Sequence, residues 1–179
     1  MTPRELEEYS ALRATIAHRG TARVWIVVAG LALWSAEAIA TVVLGTPPAI
    51  ALIPLLFLAA VFEAVFALHV GVERIGRYIQ VFHETPDDRA AWEATAMAFA
   101  PPRGTAADPL FIVCFVLATI LNFMPVMLAA PLPVEIGVIG AAHMVLLGRL
   151  FVARGGARAQ RAADLARFRE MKSEMASSQ

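Results

Sequence analysis

The sequence predicts an all-α integral membrane protein: four helices in two antiparallel hairpins, with amphipathic helices on the cytoplasmic side. Three observations predict it. Of the 179 residues, 59% are hydrophobic and the mean hydropathy is +0.65, a balance that soluble domains rarely approach. Four apolar stretches, at 24–44, 49–70, 110–130 and 132–153, each reach the ~20 residues that cross a bilayer. The links at 45–48 and 131–133 leave room only for an antiparallel return.

The first element precedes the first span. Thr2-Pro3-Arg4-Glu5 is a helix start: Thr2 can cap, Pro3 suits the first helical position, and Glu5 completes a capping box. Leu6, Tyr9, Leu12 and Ile16 then form an apolar stripe, and Gly20 is expected to end this amphipathic helix. Ala36-Glu37-Ala38 has small-x-small spacing, but Glu5, Glu7 and Glu8 and the continuing apolar run argue against a cleaved signal peptide.

The second span is expected to leave the membrane without stopping. Val72, Ile75, Ile79 and Phe82 continue an apolar stripe beyond it, while Glu73, Arg74, Arg77, Gln80 and Glu84 take other faces. Glu73 and Arg77, four apart, can bridge along the helix. This stripe needs a cover, either from the chain's own terminal helices or from another subunit. Val72, Glu73, Arg74, Ile75, Arg77, Tyr78, Ile79 and Phe82 are therefore the expected interaction surface.

Thr85-Pro86-Asp87-Asp88 reads as a further helix start, with Trp92, Thr95, Ala96 and Phe99 on one side and Pro101-Pro102 as its stop. Residues 103–109 read as a loop. After the third and fourth spans, Gly155-Gly156 precedes an Ala- and charge-rich helical tail carrying Leu165, Phe168, Met171 and Met175. The chain thus divides into 1–20 (amphipathic helix), 21–70 (first hairpin), 71–109 (helical extension and loop), 110–153 (second hairpin) and 154–179 (tail).

Charge gives the threading. All fifteen Lys and Arg residues lie before the first span, between the second and third, or around and after the end of the fourth. None lies in the two short links. Positive-inside sorting then puts both termini and the middle segment in the cytoplasm. Heavy use of Arg and Ala suggests a GC-rich bacterial genome, so the expected location is a bacterial inner membrane. A net charge of zero excludes a broad basic surface, and nucleic acid is not an expected partner. Membrane lipids and other membrane subunits, or further copies of the chain, are expected instead.

Several ionisable or polar groups fall inside the spans, where they are costly and usually face protein or water. Glu37 and Asn122 lie about eight residues, or ~12 Å, from their outer ends; His143 lies about eleven, or ~16 Å. Thr119 is one turn from Asn122, and Glu63 is nearer the cytoplasm. Glu37, Asn122 and His143 are a candidate polar cluster, with Glu63 as a second station toward the cytoplasm. Three readings stand: a proton or ion site, cross-helix hydrogen bonds that hold the bundle, or contact with a partner's span or a lipid headgroup. Pro54 and Pro125 predict kinks, and Gly137, Gly140, Ala141 and Gly148 predict close helix approach.

Catalytic chemistry is not expected. His69 and His143 differ in depth by ~15 Å, too far for two axial ligands of one haem. His69 and Glu73 make at most half a metal site, and Cys114 is the only cysteine. There is no HExxH, phosphate loop, dinucleotide fingerprint or GxSxG elbow. No cofactor, metal or catalytic residue is assigned. The expectation is a non-enzymatic assembly, scaffold or accessory subunit of a membrane complex. The alternative is a small homo-oligomeric proton or ion channel or transporter using the intramembrane Glu and His residues, Glu37 and Glu63 foremost.

Overall fold

The structure, a computed structural model, describes residues 1–84, 92, 93, 95 and 109–178. The expected helix start at 85–88, its residues Ala96 and Phe99, and the stop at 101–102 lie outside these. Among the described residues every regular element is helical. Helix α1 spans Pro3–Val43, a 3-10 turn spans Pro48–Ala51, and α2 spans Leu52–Phe82. Helix α3 spans Pro109–Leu121, α4 spans Met124–Leu128, and α5 spans Pro133–Ser177.

Helix α1 starts as the sequence predicts. Glu5 N–H donates to Thr2 Oγ1 at 3.3 Å, and Thr2 N–H donates to Glu5 Oε2 at 2.6 Å. Gly20 does not end it. The helix runs for 41 residues through Gly20 into the apolar segment. An isolated glycine costs a helix only ~1 kcal/mol, and neighbours on both sides favour continuing. Helix α5 likewise runs through Gly155 and Gly156, and α2 through Gly71.

The return after α1 is a glycine-based stop. Gly45 takes φ +58°, Thr46 N–H bonds Thr41 O at 3.2 Å, and Gly45 N–H bonds Val42 O at 3.2 Å. These two bonds satisfy carbonyls that the helix end leaves open, and the left-handed φ explains the glycine. Pro54 does not interrupt α2. It falls in the first turn of α2, where its missing N–H has no helical acceptor to lose.

Pro125 does break its segment. Its ring clashes with the carbonyl four residues back, at Leu121, where α3 stops. The expected third span is therefore a 13-residue helix and a 5-residue helix separated by Asn122 and Phe123. Among the described residues three helices are long and apolar enough to cross a membrane, and the expected third span is represented by the shorter apolar stretch Ile112–Leu128.

Ascending positions on α1 meet descending positions on α2. Glu8 meets Tyr78, Arg23 meets His69, and Gly30 meets Val61. On α2 and α5 both ascend: Glu63 meets Arg149, Arg74 meets Asp164, and Tyr78 meets Phe168. The core between them includes Leu58, Phe62, Phe115 and Leu150. Outside it, Trp25, Leu33, Ile39, Leu56, Met144, Val145 and Phe151 are each more than half exposed.

At Gly30 α1 lies close against α2. A Cβ there would stand 2.5 Å from Val61 Cγ1 and 2.8 Å from Cγ2. Val61 is β-branched and cannot turn both methyls away. Gly30→Ala should destabilise the fold by about 1–3 kcal/mol through overpacking. Val61→Ala in the same chain should recover most of that loss. Unfolding curves of both single variants and the double variant in detergent would measure the coupling.

Candidate functional site

Asn122 stands at the break that Pro125 makes, fully buried. Its Oδ1 accepts from Trp34 Nε1–H at 3.0 Å. Its Nδ2 donates to Ala51 O at 2.9 Å and lies 3.2 Å from His143 Nε2. His143 Nδ1 lies 2.8 Å from Ile139 O. One proton arrangement satisfies every contact: His143 neutral, with its proton on Nδ1 donated to Ile139 O and Nε2 accepting from Asn122. Phe123 packs edge-on against the same imidazole, with centroids 5.1 Å apart.

The structure thus brings Asn122 and His143 together. Sequence reasoning missed Trp34, whose buried indole N–H needs a partner and lies one turn before Glu37. Glu37 makes no hydrogen bond to this group, and its buried Oε2 has no hydrogen-bond partner. Thr119 is buried but turns its hydroxyl to Phe115 O at 2.7 Å. Glu135 accepts from Leu132 N–H at 2.8 Å and stabilises the start of α5.

Glu63 lies apart from that group, on the outer surface between α2 and α5. Arg149 holds it by a two-pronged ion pair: Nε to Oε1 at 2.7 Å and Nη2 to Oε2 at 2.8 Å. The guanidinium also lies 5.8 Å and 5.1 Å from the ring centroids of Phe62 and Phe66. The sequence held a signal for this pair. Both residues lie one to two turns before the ends of apolar stretches that run the same way.

The expected interaction surface on α2 is covered by the same chain. Ile79 is fully buried, and Arg77 is buried with it. Glu73 receives Arg77 Nη2 at 2.9 Å and Arg161 Nε at 2.8 Å. Arg74 reaches Asp164 at 3.2 Å, and Phe168 packs against Tyr78 and Phe82. Tyr78 donates to Glu8 at 2.8 Å, and Lys172 donates to Val81 O. Val72 and Ile75 are half-buried, and Arg74 remains exposed. Arg13 of α1 pairs with Glu93 at 2.8 Å.

Among the described residues no group of three or more His, Cys, Asp or Glu side chains could hold a metal ion. Glu73, the partner expected for His69 in a half-site, faces two arginines instead. No known protein family, curated protein or solved structure matches the chain.

The Asn122 group makes graded predictions. Trp34→Phe removes one donor and should cost ~1 kcal/mol. Asn122→Ala opens Trp34 Nε1, Ala51 O and His143 Nε2 together and should cost about 2–3 kcal/mol. Denaturant unfolding in detergent would rank the two, and equal losses would show that the amide does not join the helices.

Tyr78 gives a second check, outside the apolar segments. Burial first, and the bond donated to Glu8 second, push its phenol above the ordinary tyrosine value. A raised folded value means stability that is full below the ordinary tyrosine pKa and lost as pH climbs through the raised one. An ultraviolet titration should show one late-ionising phenol, absent in Tyr78→Phe.

Proposed function

We propose that this chain is a non-enzymatic, multi-pass membrane protein that serves as an assembly, scaffold or accessory subunit of a larger membrane complex. It sits in a bacterial inner membrane as two hairpins, with both termini and the segment after α2 in the cytoplasm. The second hairpin returns through the shorter α3–α4 pair. Support for the membrane comes from the apolar side chains on the outside of α1, α2 and α5, whose burial in water would be left undone. Support for the threading comes from the basic residues, none of which stands in the two short links.

One observation carries the subunit reading. The α5 flank bearing Gly137, Gly140 and Gly148 has nothing within 4 Å of where a Cβ would stand. Small residues on a span let another helix approach closely, and among the described residues no helix packs against them. The α2 stripe, by contrast, is already covered by α1 and α5, so partner contact moves from the cytoplasmic extension to this flank.

A second reading is a homo-oligomeric proton or ion channel. It is favoured by the buried Glu37 Oε2 that lacks a hydrogen-bond partner. Glu63 contributes less to it, because Arg149 neutralises that carboxylate.

Gentle extraction followed by native mass analysis separates the readings. A complex containing unrelated membrane chains supports the subunit reading. Gly140→Leu and Gly148→Leu should then release those chains while the protein still inserts, since a Cβ at either position meets nothing within 4 Å. A homo-oligomer alone, with liposome flux abolished by Glu37→Gln, would establish the channel instead.

A further inference from the structure

An apolar groove of about 430 Å³ runs along the outside of the α2–α5 contact. Leu52, Leu55 and Ala59 line it on α2, and Ala142 and Leu146 on α5. Glu63 and Arg149 close one end. From Leu52 to Glu63 is eleven residues, or ~16 Å, about half the ~30 Å of a hydrocarbon core and so the reach of one leaflet's chain. Its volume falls within the ~300–1,000 Å³ of small-molecule sites.

The closed end has a definite chemistry. The Arg149 and Glu63 side chains remain 38% and 49% exposed while bonded to each other. The two-pronged pair uses two of the five guanidinium N–H donors, leaving three directed elsewhere. The carboxylate likewise keeps lone pairs on its outer side. In an apolar layer these groups need partners, because hydrocarbon supplies none. Arg149 lies five residues, or ~7.5 Å, outward of position 154, within reach of the inner headgroup layer.

We propose that this groove binds a phospholipid with a phosphoethanolamine headgroup, one acyl chain lying between α2 and α5. The proposal rests on the membrane reading above. The lipid phosphate accepts from the free N–H groups of Arg149, and the primary ammonium donates to Glu63. Charge complementarity selects this headgroup. The ion pair is neutral as a unit, and so is the zwitterion, so no net charge is buried. A phosphocholine head has no N–H to donate to Glu63. A phosphoglycerol head brings no cation and leaves the site negative.

The test uses the full chain, extracted in mild detergent, stripped of lipid, and offered phosphatidylethanolamine, phosphatidylcholine and phosphatidylglycerol in turn. Native mass spectrometry counts the lipid retained. Phosphatidylethanolamine should be held roughly tenfold more tightly than either of the others. Glu63→Gln should reverse the preference toward phosphatidylglycerol, because Arg149 then stands without its counter-charge. Ala142→Phe, which fills the groove and leaves the pair, should lower retention of all three.

Equal retention of the three lipids, an unchanged preference in Glu63→Gln, or a lipid-free dimer that closes the groove would overturn the site. Recovery of the chain from the aqueous fraction without detergent would instead overturn the membrane reading beneath it.

Discussion

A carboxamide with four hydrogen-bonding positions cannot be buried among leucines unless the protein supplies its partners. Asn122 meets that requirement by drawing in Trp34 of α1, Ala51 of the 3-10 turn and His143 of α5. Three segments far apart in sequence are thereby fixed at one level. Pro125 makes this possible, because the helix it interrupts stops at Leu121 and leaves Asn122 at the break. The same interruption shortens α3 and α4. The most costly polar residue of the apolar zone and the weakest helix are one arrangement.

Further along, charge replaces carboxamide as the means of joining helices. Glu63 with Arg149, Glu73 with Arg77 and Arg161, and Arg74 with Asp164 tie α2 along its length, chiefly to α5. Arg77 and Ile79 are buried side by side in the extension of α2. The arginine is tolerated there because its Nη2 lies 2.9 Å from Glu73 and its Nη1 reaches Gln80 at 3.4 Å. The apolar stripe beyond the second apolar segment is thus closed by the chain's own ends, through Glu8, Phe168 and Lys172.

Much of this was legible before any coordinates. The capping box at Thr2 and the unbroken passage of α2 past Val70 follow from spacing alone. Depth put Glu37, Asn122 and His143 in one layer, but helix rotation brings only Asn122 and His143 together and adds Trp34. Gly20 misled because a helix stop depends on what surrounds the glycine. Gly45, followed by prolines, stops α1, while Gly20, set between good helix formers, does not. Pro54 and Pro125 are alike in sequence and opposite in effect, since the outcome turns on where the helix begins. Depth could place Glu63 and Arg149 at similar levels, but only the rotation of α2 against α5 decides that they meet.

The three long helices share one further trait. Gly20, Gly71 and the pair Gly155-Gly156 each lie where a helix passes from its apolar segment into its charged one. Counted from the returns at the far end, all lie ~33–36 Å along. Each glycine costs its helix about 1 kcal/mol against alanine, so all three long helices are intrinsically weakest where their side chains change from apolar to charged. The ion pairs that join the charged parts of α2 and α5 therefore stand next to the stretch of helix that can least hold its own shape.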